Sequence, residues 1–336
     1  MRKHLHILLL IMLAWIPGTI AATEEESEKV DVKEIIFEHL SDDYEWHIAE
    51  DVVLHFPCII YDDKRGLQVF MSDKLDDGAE YNGYHIDTKS GKIVNAAGAR
   101  PFDISITKDV LELFLVCFLL CLAVLSTAHW YKRNGYMKAP GGFVGLMETL
   151  VNFIDKDVAS ASIGVGYERF SPYLNTVFLF ILTCNLIGLI PIFPGGANLT
   201  GNIAVTLTCA VTAFIAINFF APKEYFKSIF WPHVPLALKA IPLMPTIEFI
   251  GVFTKPFSLT VRLFANIMAG HIIILSLTSI IFIAWKEGPA IGSPMTVVSV
   301  AFCIFMNCLE LLVAFIQAYV FTILTANFIG LAQHEE

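Results

Sequence analysis

Charge is scarce in this chain. Only 16% of its 336 residues are Asp, Glu, Lys or Arg, where a soluble domain carries about 25%. The hydrophobic share is 56%, which excludes an ordinary soluble globule and predicts a polytopic membrane protein. No basic cluster interrupts the net charge of −10, so nothing is set to grip a phosphate backbone, and nucleic acid is excluded as a partner. The phosphate-cradling pattern G-x-x-x-x-G-K-[ST] is missing, so nucleotide chemistry must sit elsewhere and this chain is expected to be non-catalytic. The seven cysteines contain no C-x-x-C. All but Cys58 lie in apolar spans and read as small apolar fillers, and no cofactor is expected.

What is present falls into three parts. Residues 1–22 read as a secretory signal: Arg2 and Lys3, an apolar run over 5–16, then a small-residue end at Ala21 and Ala22. An uncleaved anchor is the alternative. Residues 23–104 are polar and open on Glu24, Glu25 and Glu26. Short alternating runs over 51–56 and 66–71, with turn signals at Asp77-Gly78 and Asn82-Gly83, predict a small β-containing extracytoplasmic extension. His39, His47 and His55 with Asp42, Asp43 and Asp51 are metal-capable types. Their spacing of eight fits no tight ligand motif, so surface polarity is the better reading.

Residues 105–336 are expected to form an all-α membrane domain with five crossings. The apolar spans are 109–129, 173–193, 200–220, a long run over 236–285, and a last one over 294–331. The fourth is about 50 residues, where upright spanning takes about 20. It must tilt, kink or lie partly along the interface, with breaks available at Pro242, Pro245 and Pro256. The last two spans are expected to form a long tilted helical hairpin. Apolar positions 143, 147, 150 and 154, set against Glu148, Asn152, Asp155 and Lys156, predict an amphipathic helix in the interface plane. Basic residues gather after the first span (Lys132, Arg133, Lys138) and after the third (Lys223, Lys227, Lys239). Basic loops stay cytoplasmic, so the N-terminus is expected outside and the C-terminus inside.

The chemistry concentrates in residues 245–271. That apolar stretch carries Glu248, Lys255, Arg262, Asn266 and His271. A charged side chain at mid-bilayer costs roughly 2.5–3.5 kcal/mol, and arginine cannot shed its proton to escape. On one helix, Glu248, Lys255, Ser258 and Asn266 fall within about 40° of Arg262, while His271 lies about 180° away. A solvated face of a soluble helix is the bland alternative, and it fails because the other faces are bulky and apolar. On the last span, Glu310 and Gln317 lie about 20° apart. A histidine and a carboxylate in a wet intramembrane crevice make a proton relay. A fixed cation beside it repels a second cation and draws the proton off an incoming acid.

The run Ser258-Leu259-Thr260-Val261-Arg262-Leu263-Phe264-Ala265-Asn266-Ile267-Met268-Ala269-Gly270-His271 resembles the signature of subunit a of F-type ATP synthases. The resemblance extends over about 105–331 and takes in Asn185 to Pro191, Asn202, Glu310 and Gln317. It implies a proton-conducting membrane stator beside a rotating c-ring, with peripheral-stalk b subunits and the lipid bilayer as further partners. It implies a multi-pass protein of a bacterial inner membrane. Arg262 would face the essential carboxylate of each c-subunit, with Asn266 and Gln317 as polar neighbours. His271 and Glu310 would belong to the outer access path and Ser258 and Glu248 to the cytoplasmic one, while Asn185 would either line a path or serve as helix-packing polar glue. The chain departs from the family in three places. Histidine and carboxylate are exchanged at 271 and 310 relative to some relatives, Gly188 stands where some have an acid, and the 23–104 extension is unusually long.

Two rivals belong to other classes. A secondary transporter would show internal repeats and paired broken helices, and no repeat of the Arg262 stretch is evident. A non-transporting scaffold would leave the charged set without a purpose.

Overall fold

The computed structural model describes residues 42–49, 52–62, 65–87, 90–190, 198–230 and 243–334. The signal-like segment, the acidic run at 24–26, His39, Asp51 and the turn at 194–197 lie outside them.

Residues 42–107 build a strand module. Three small antiparallel sheets form: β1 (Glu45–Ala49) with β2 (Val52–His55), β3 (Pro57–Asp62) between β4 (Gly66–Met71) and β7 (Phe102–Asp103), and β5 (Tyr84–Ile86) with β6 (Ile93–Asn95). Period-2 alternation sends Cys58, Ile60 and Phe70 inward, where they meet Tyr44, Leu75, Tyr84 and Ile93. Asp43 and Asp42 then bind the start of the first helix. Asp43 O accepts from Lys108 N at 3.0 Å, and Asp42 Oδ1 accepts from Asp109 N at 3.3 Å. These bonds satisfy amides that a helix start leaves open.

Helix α1 (Lys108–Asn134) is followed by α2 (Gly142–Phe153), a π-turn (Ile154–Ala159) and α3 (Ser160–Ile163). The amphipathic stretch thus continues to Ile163, and its apolar stripe packs inward: Met147, Ile154, Val158 and Ile163 join the main core. Asp155 fixes the next helix by accepting from Ser171 and, at 2.6 Å, from Asn175. Then come α4 (Ser171–Gly188), α5 (Ile203–Phe219), α6 (Lys223–Phe230), α7 (Leu243–Lys286) and α8 (Pro289–His334).

Among the described residues, four helical segments, Lys108–Asn134, Ser171–Gly188, Phe249–Lys286 and Pro289–Gln333, are long and apolar enough to cross a membrane. The shorter apolar helix Ile203–Phe219 has 17 residues, about 26 Å at 1.5 Å per residue against a hydrocarbon layer of about 30 Å. The 44 residues of α7 and 46 of α8 reach more than twice that depth. Pro256 sits inside α7 without ending it.

Lipid tails are as apolar as leucine, so close packing rather than apolar burial must hold these helices together. Small residues accordingly sit at the contacts: Ala210, Ala213, Ala314, Ala318 and Ala326 are fully buried. Gly330 is a case of necessity, because a Cβ there would lie 2.1 Å from the Ser162 carbonyl oxygen.

Candidate functional site

The two long helices run antiparallel in a fixed register. Trp285 Nε1 donates to Thr296 Oγ1 at 3.0 Å, His271 Nε2 lies 3.6 Å from Glu310 Oε1, and Lys255 sits 5.2 Å over the Phe328 ring. Each step along one helix is therefore a step back along the other. The aromatic partner of Lys255 ties that side chain into the helix pair.

The histidine and the carboxylate meet although 39 positions separate them. Glu310 is 5% exposed, and neither of its oxygens has a hydrogen-bond partner. What makes room for it is Gly270. A Cβ at that position would stand 2.7 Å from Glu310 Oε1 and 3.0 Å from its carboxyl carbon. Glycine here serves close approach across helices, for its φ is an ordinary helical one. Asn185 is buried on α4 and donates from Nδ2 to the Ala314 carbonyl at 3.0 Å. Its Oδ1 has no donor. Gln317, 7% exposed, lies one heptad beyond Glu310 on the same buried stripe of α8. Among the described residues, the structure thus brings together His271, Glu310, Asn185 and Gln317 from α7, α4 and α8.

Arg262 is on another side. Ser258, Arg262, Ala265, Asn266 and Ala269 form an exposed face of α7, while Leu259, Leu263 and Ile267 are buried behind it. Serine and alanine beside Arg262 leave the guanidinium open to close approach. None of the ion pairs among the described residues includes it. Asn266 shares its face. Gln317 does not: it is buried about level with Ala265. Glu248 lies on α7, with its side chain outside the described residues.

A second polar group lies at the start of α1. Asn202, the cap of α5, donates to Asp109 Oδ2 at 2.7 Å and accepts from Ala204 N at 3.0 Å. One turn on, Glu112 is 0% exposed. Nothing in residue order marked it beyond one acid near the head of an apolar run. In the strand module, Glu45, His55 and Asp76 bring metal-capable atoms within 4.8 Å of one another. His55 meets them at 3.8 and 3.7 Å, and this set shares only His55 with the histidines spaced eight apart.

Helices long and apolar enough to cross a membrane, an exposed arginine that joins none of the ion pairs among the described residues, and a histidine–glutamate pair inside define a multi-pass membrane protein. A family model described as ATP synthase A chain matches residues 112–330, and a domain of unknown function matches residues 35–111. ATP synthase subunit a of Chloroherpeton thalassium is 46% identical over 240 residues, 70% of this chain and 69% of that protein. Subunit a of Chlorobium phaeobacteroides is 49% identical over 240 residues, 70% and 67% of the two chains. ATP synthase subunit a 2 of Chlorobaculum tepidum is 50% identical over 235 residues, 69% and 64%. The chain belongs to the ATP synthase A chain family, the subunit a of F-type ATP synthases. It is a multi-pass component of the proton-translocating membrane sector of a bacterial ATP synthase.

Proposed function

We propose that this chain is the stator that passes protons to and from a ring of c-subunits through two offset half-paths. It crosses the membrane five times, α5 included, with its N-terminus and strand module outside and its C-terminus inside. The helical pair α7 and α8 lies steeply tilted along the ring, and peripheral-stalk b subunits hold the chain against rotation.

Protons enter from outside at His271 and Glu310. Imidazole is the side chain that exchanges protons near neutral pH, and a carboxylate 3.6 Å away accepts from it or holds its cationic form. Asn185 and Gln317 line this path. The proton passes to a ring carboxylate, rides the ring, and is released beside Arg262 toward the cytoplasm, past Ser258 and Glu248. Arg262 stabilises the carboxylate it faces and so lowers that acid's hold on its proton. Its fixed charge also bars a direct run between the half-paths, which would waste about 2.3 kcal/mol per charge per 100 mV.

The observation that supports this best is the split on α7. Arg262 stands exposed among small residues and outside the ion pairs formed among the described residues, while Glu310 opposite His271 is turned into the protein. An intramembrane guanidinium of that kind requires a counter-charge, and an acid on a second protein supplies it. Replacing Arg262 by alanine should abolish ATP synthesis and ATP-driven proton pumping while the complex still assembles. Normal pumping by that variant would overturn the assignment.

A further inference from the structure

Glu112 has a place that the pathway above does not use. It is fully buried; no side chain donates to its carboxylate, and the backbone amide of Leu199 lies close to it. Leu113, Val116, Cys184, Ile187 and Leu199 form the apolar cluster around this part of α1. A carboxylate so placed is either kept neutral by a proton or served by water that comes and goes.

The groups leading to it become progressively less exposed. Asp42, on the strand module, is partly exposed and pairs with Lys92 at 3.6 Å. Asp42 in turn holds the Asp109 amide, and Asp109, 7% exposed, accepts from Asn202. Glu112 follows one helical turn later, on the same side of α1. Beyond Glu112 stands Cys184, within its electrostatic reach. Cys184 adjoins Asn185, whose Nδ2 is bonded to α8 at Ala314, one turn from Glu310. Glu112 on α1, Asn185 Oδ1 on α4 and both Glu310 oxygens on α8 are buried acceptors to which no side chain donates.

We propose that Glu112 is a proton-binding relay at the head of the outer half-path, loaded by way of Asp42 and Asp109 and discharging toward Asn185 and Glu310. The inference rests on the stator reading above. A proton leaves hydronium as water, makes the neutral acid on Glu112, and leaves it again as the carboxylate when Glu310 becomes the acid. The titratable and charged groups facing Glu112 are Asp109 and Lys108 on its own helix and Cys184 on α4. Asp42 and Lys92 act one step out, on Asp109, and α5 contributes only the neutral Asn202.

The test uses the whole ATP synthase in vesicles, with ATP synthesis followed at a fixed driving force while the pH on the entry side is varied. Glu112→Gln should run several-fold slower than the parent, and the deficit should deepen toward alkaline entry-side pH, where loading limits the rate. Glu112→Asp should restore most of the rate. A pH profile that matches the parent's overturns the relay. So does a uniform loss that Glu112→Asp fails to repair, since that marks a packing role, and so does dependence on entry-side sodium in place of pH. Should Glu112→Gln not assemble, Asp109→Asn leaves Glu112 in place and should show the same trend more weakly; an unchanged profile there also overturns it. If Arg262→Ala is inactive while Glu112→Gln keeps the parental profile, only the relay falls. Normal synthesis by Arg262→Ala brings down the stator reading itself.

Discussion

The strand module and the helical bundle treat their ionisable groups in opposite ways. In the module, polar side chains are tied down: Tyr84 donates to Asp62 at 2.9 Å, Tyr44 to Asp103, and Lys92 pairs with Asp42. In the bundle, Arg262 joins none of the ion pairs among the described residues, and no side chain donates a hydrogen bond to Glu310 or Glu112. A buried acceptor left without a donor costs about 1–3 kcal/mol. A protein accepts that at several points only where the groups must bind and release something. Satisfied groups fix a structure; groups kept in reserve can move a proton.

The contrast is broken most severely by changing Arg262 without removing its charge. Arg262→Lys keeps a cation but loses the planar fork that matches a carboxylate, and ATP synthesis in reconstituted vesicles should fall nearly as far as in the alanine variant. Parental rates would show that charge alone suffices there. Next comes the inner pair. His271→Ala or Glu310→Gln should each slow synthesis by about 10²-fold, the scale of a lost acid–base group. The exchanged double variant, His271→Glu with Glu310→His, should recover part of the rate, because it keeps an imidazole and a carboxylate facing each other. A double variant no better than the single ones would mean that position, not pairing, matters.

A milder test is steric. Gly270→Ala places a methyl only 2.7 Å from Glu310 Oε1. The carboxyl must shift, and proton-driven synthesis should drop several-fold with assembly intact. Gly330→Ala instead meets backbone at 2.1 Å, so it should reduce the amount of folded subunit in the membrane rather than turnover per complex.

The smallest effects belong to the module. Burial, followed by the charge of Asp103, raises the Cys58 thiol from 9.0 to about 12. Because folding favours the protonated thiol, its contribution to stability is complete below about pH 9 and is lost as pH rises toward 12. Cys58 should therefore resist alkylation at neutral pH in the intact protein and react once it is denatured, as mass spectrometry would record. Ready labelling at neutral pH would contradict its burial. Tyr84→Phe should cost about 1 kcal/mol of stability and leave proton flux unaltered.

Much of the membrane part could be read from residue order. Apolar run lengths gave the long helices, though residues 231–242 lie outside the described set. The amphipathic stripe at Met147 and Ile154 was visible too, but not that it would pack against the bundle, since an apolar face fits protein or lipid equally well. The polar groups at Asp109 and Glu112 were hidden because an acid near the start of an apolar run looks like any helix end.

Residue order by itself determined the faces of each helix, since a rotation of about 100° per residue is enough to oppose His271 to Arg262. It also determined that charged residues would interrupt an apolar run long enough to cross a membrane. Only the tertiary structure decided which faces meet. The pairing of His271 with Glu310, the gap at Gly270 that admits it, and the burial of Glu112 and Asn185 all depend on the register between helices. That register is set by the sum of many small packing contacts across the bundle, which no local pattern records.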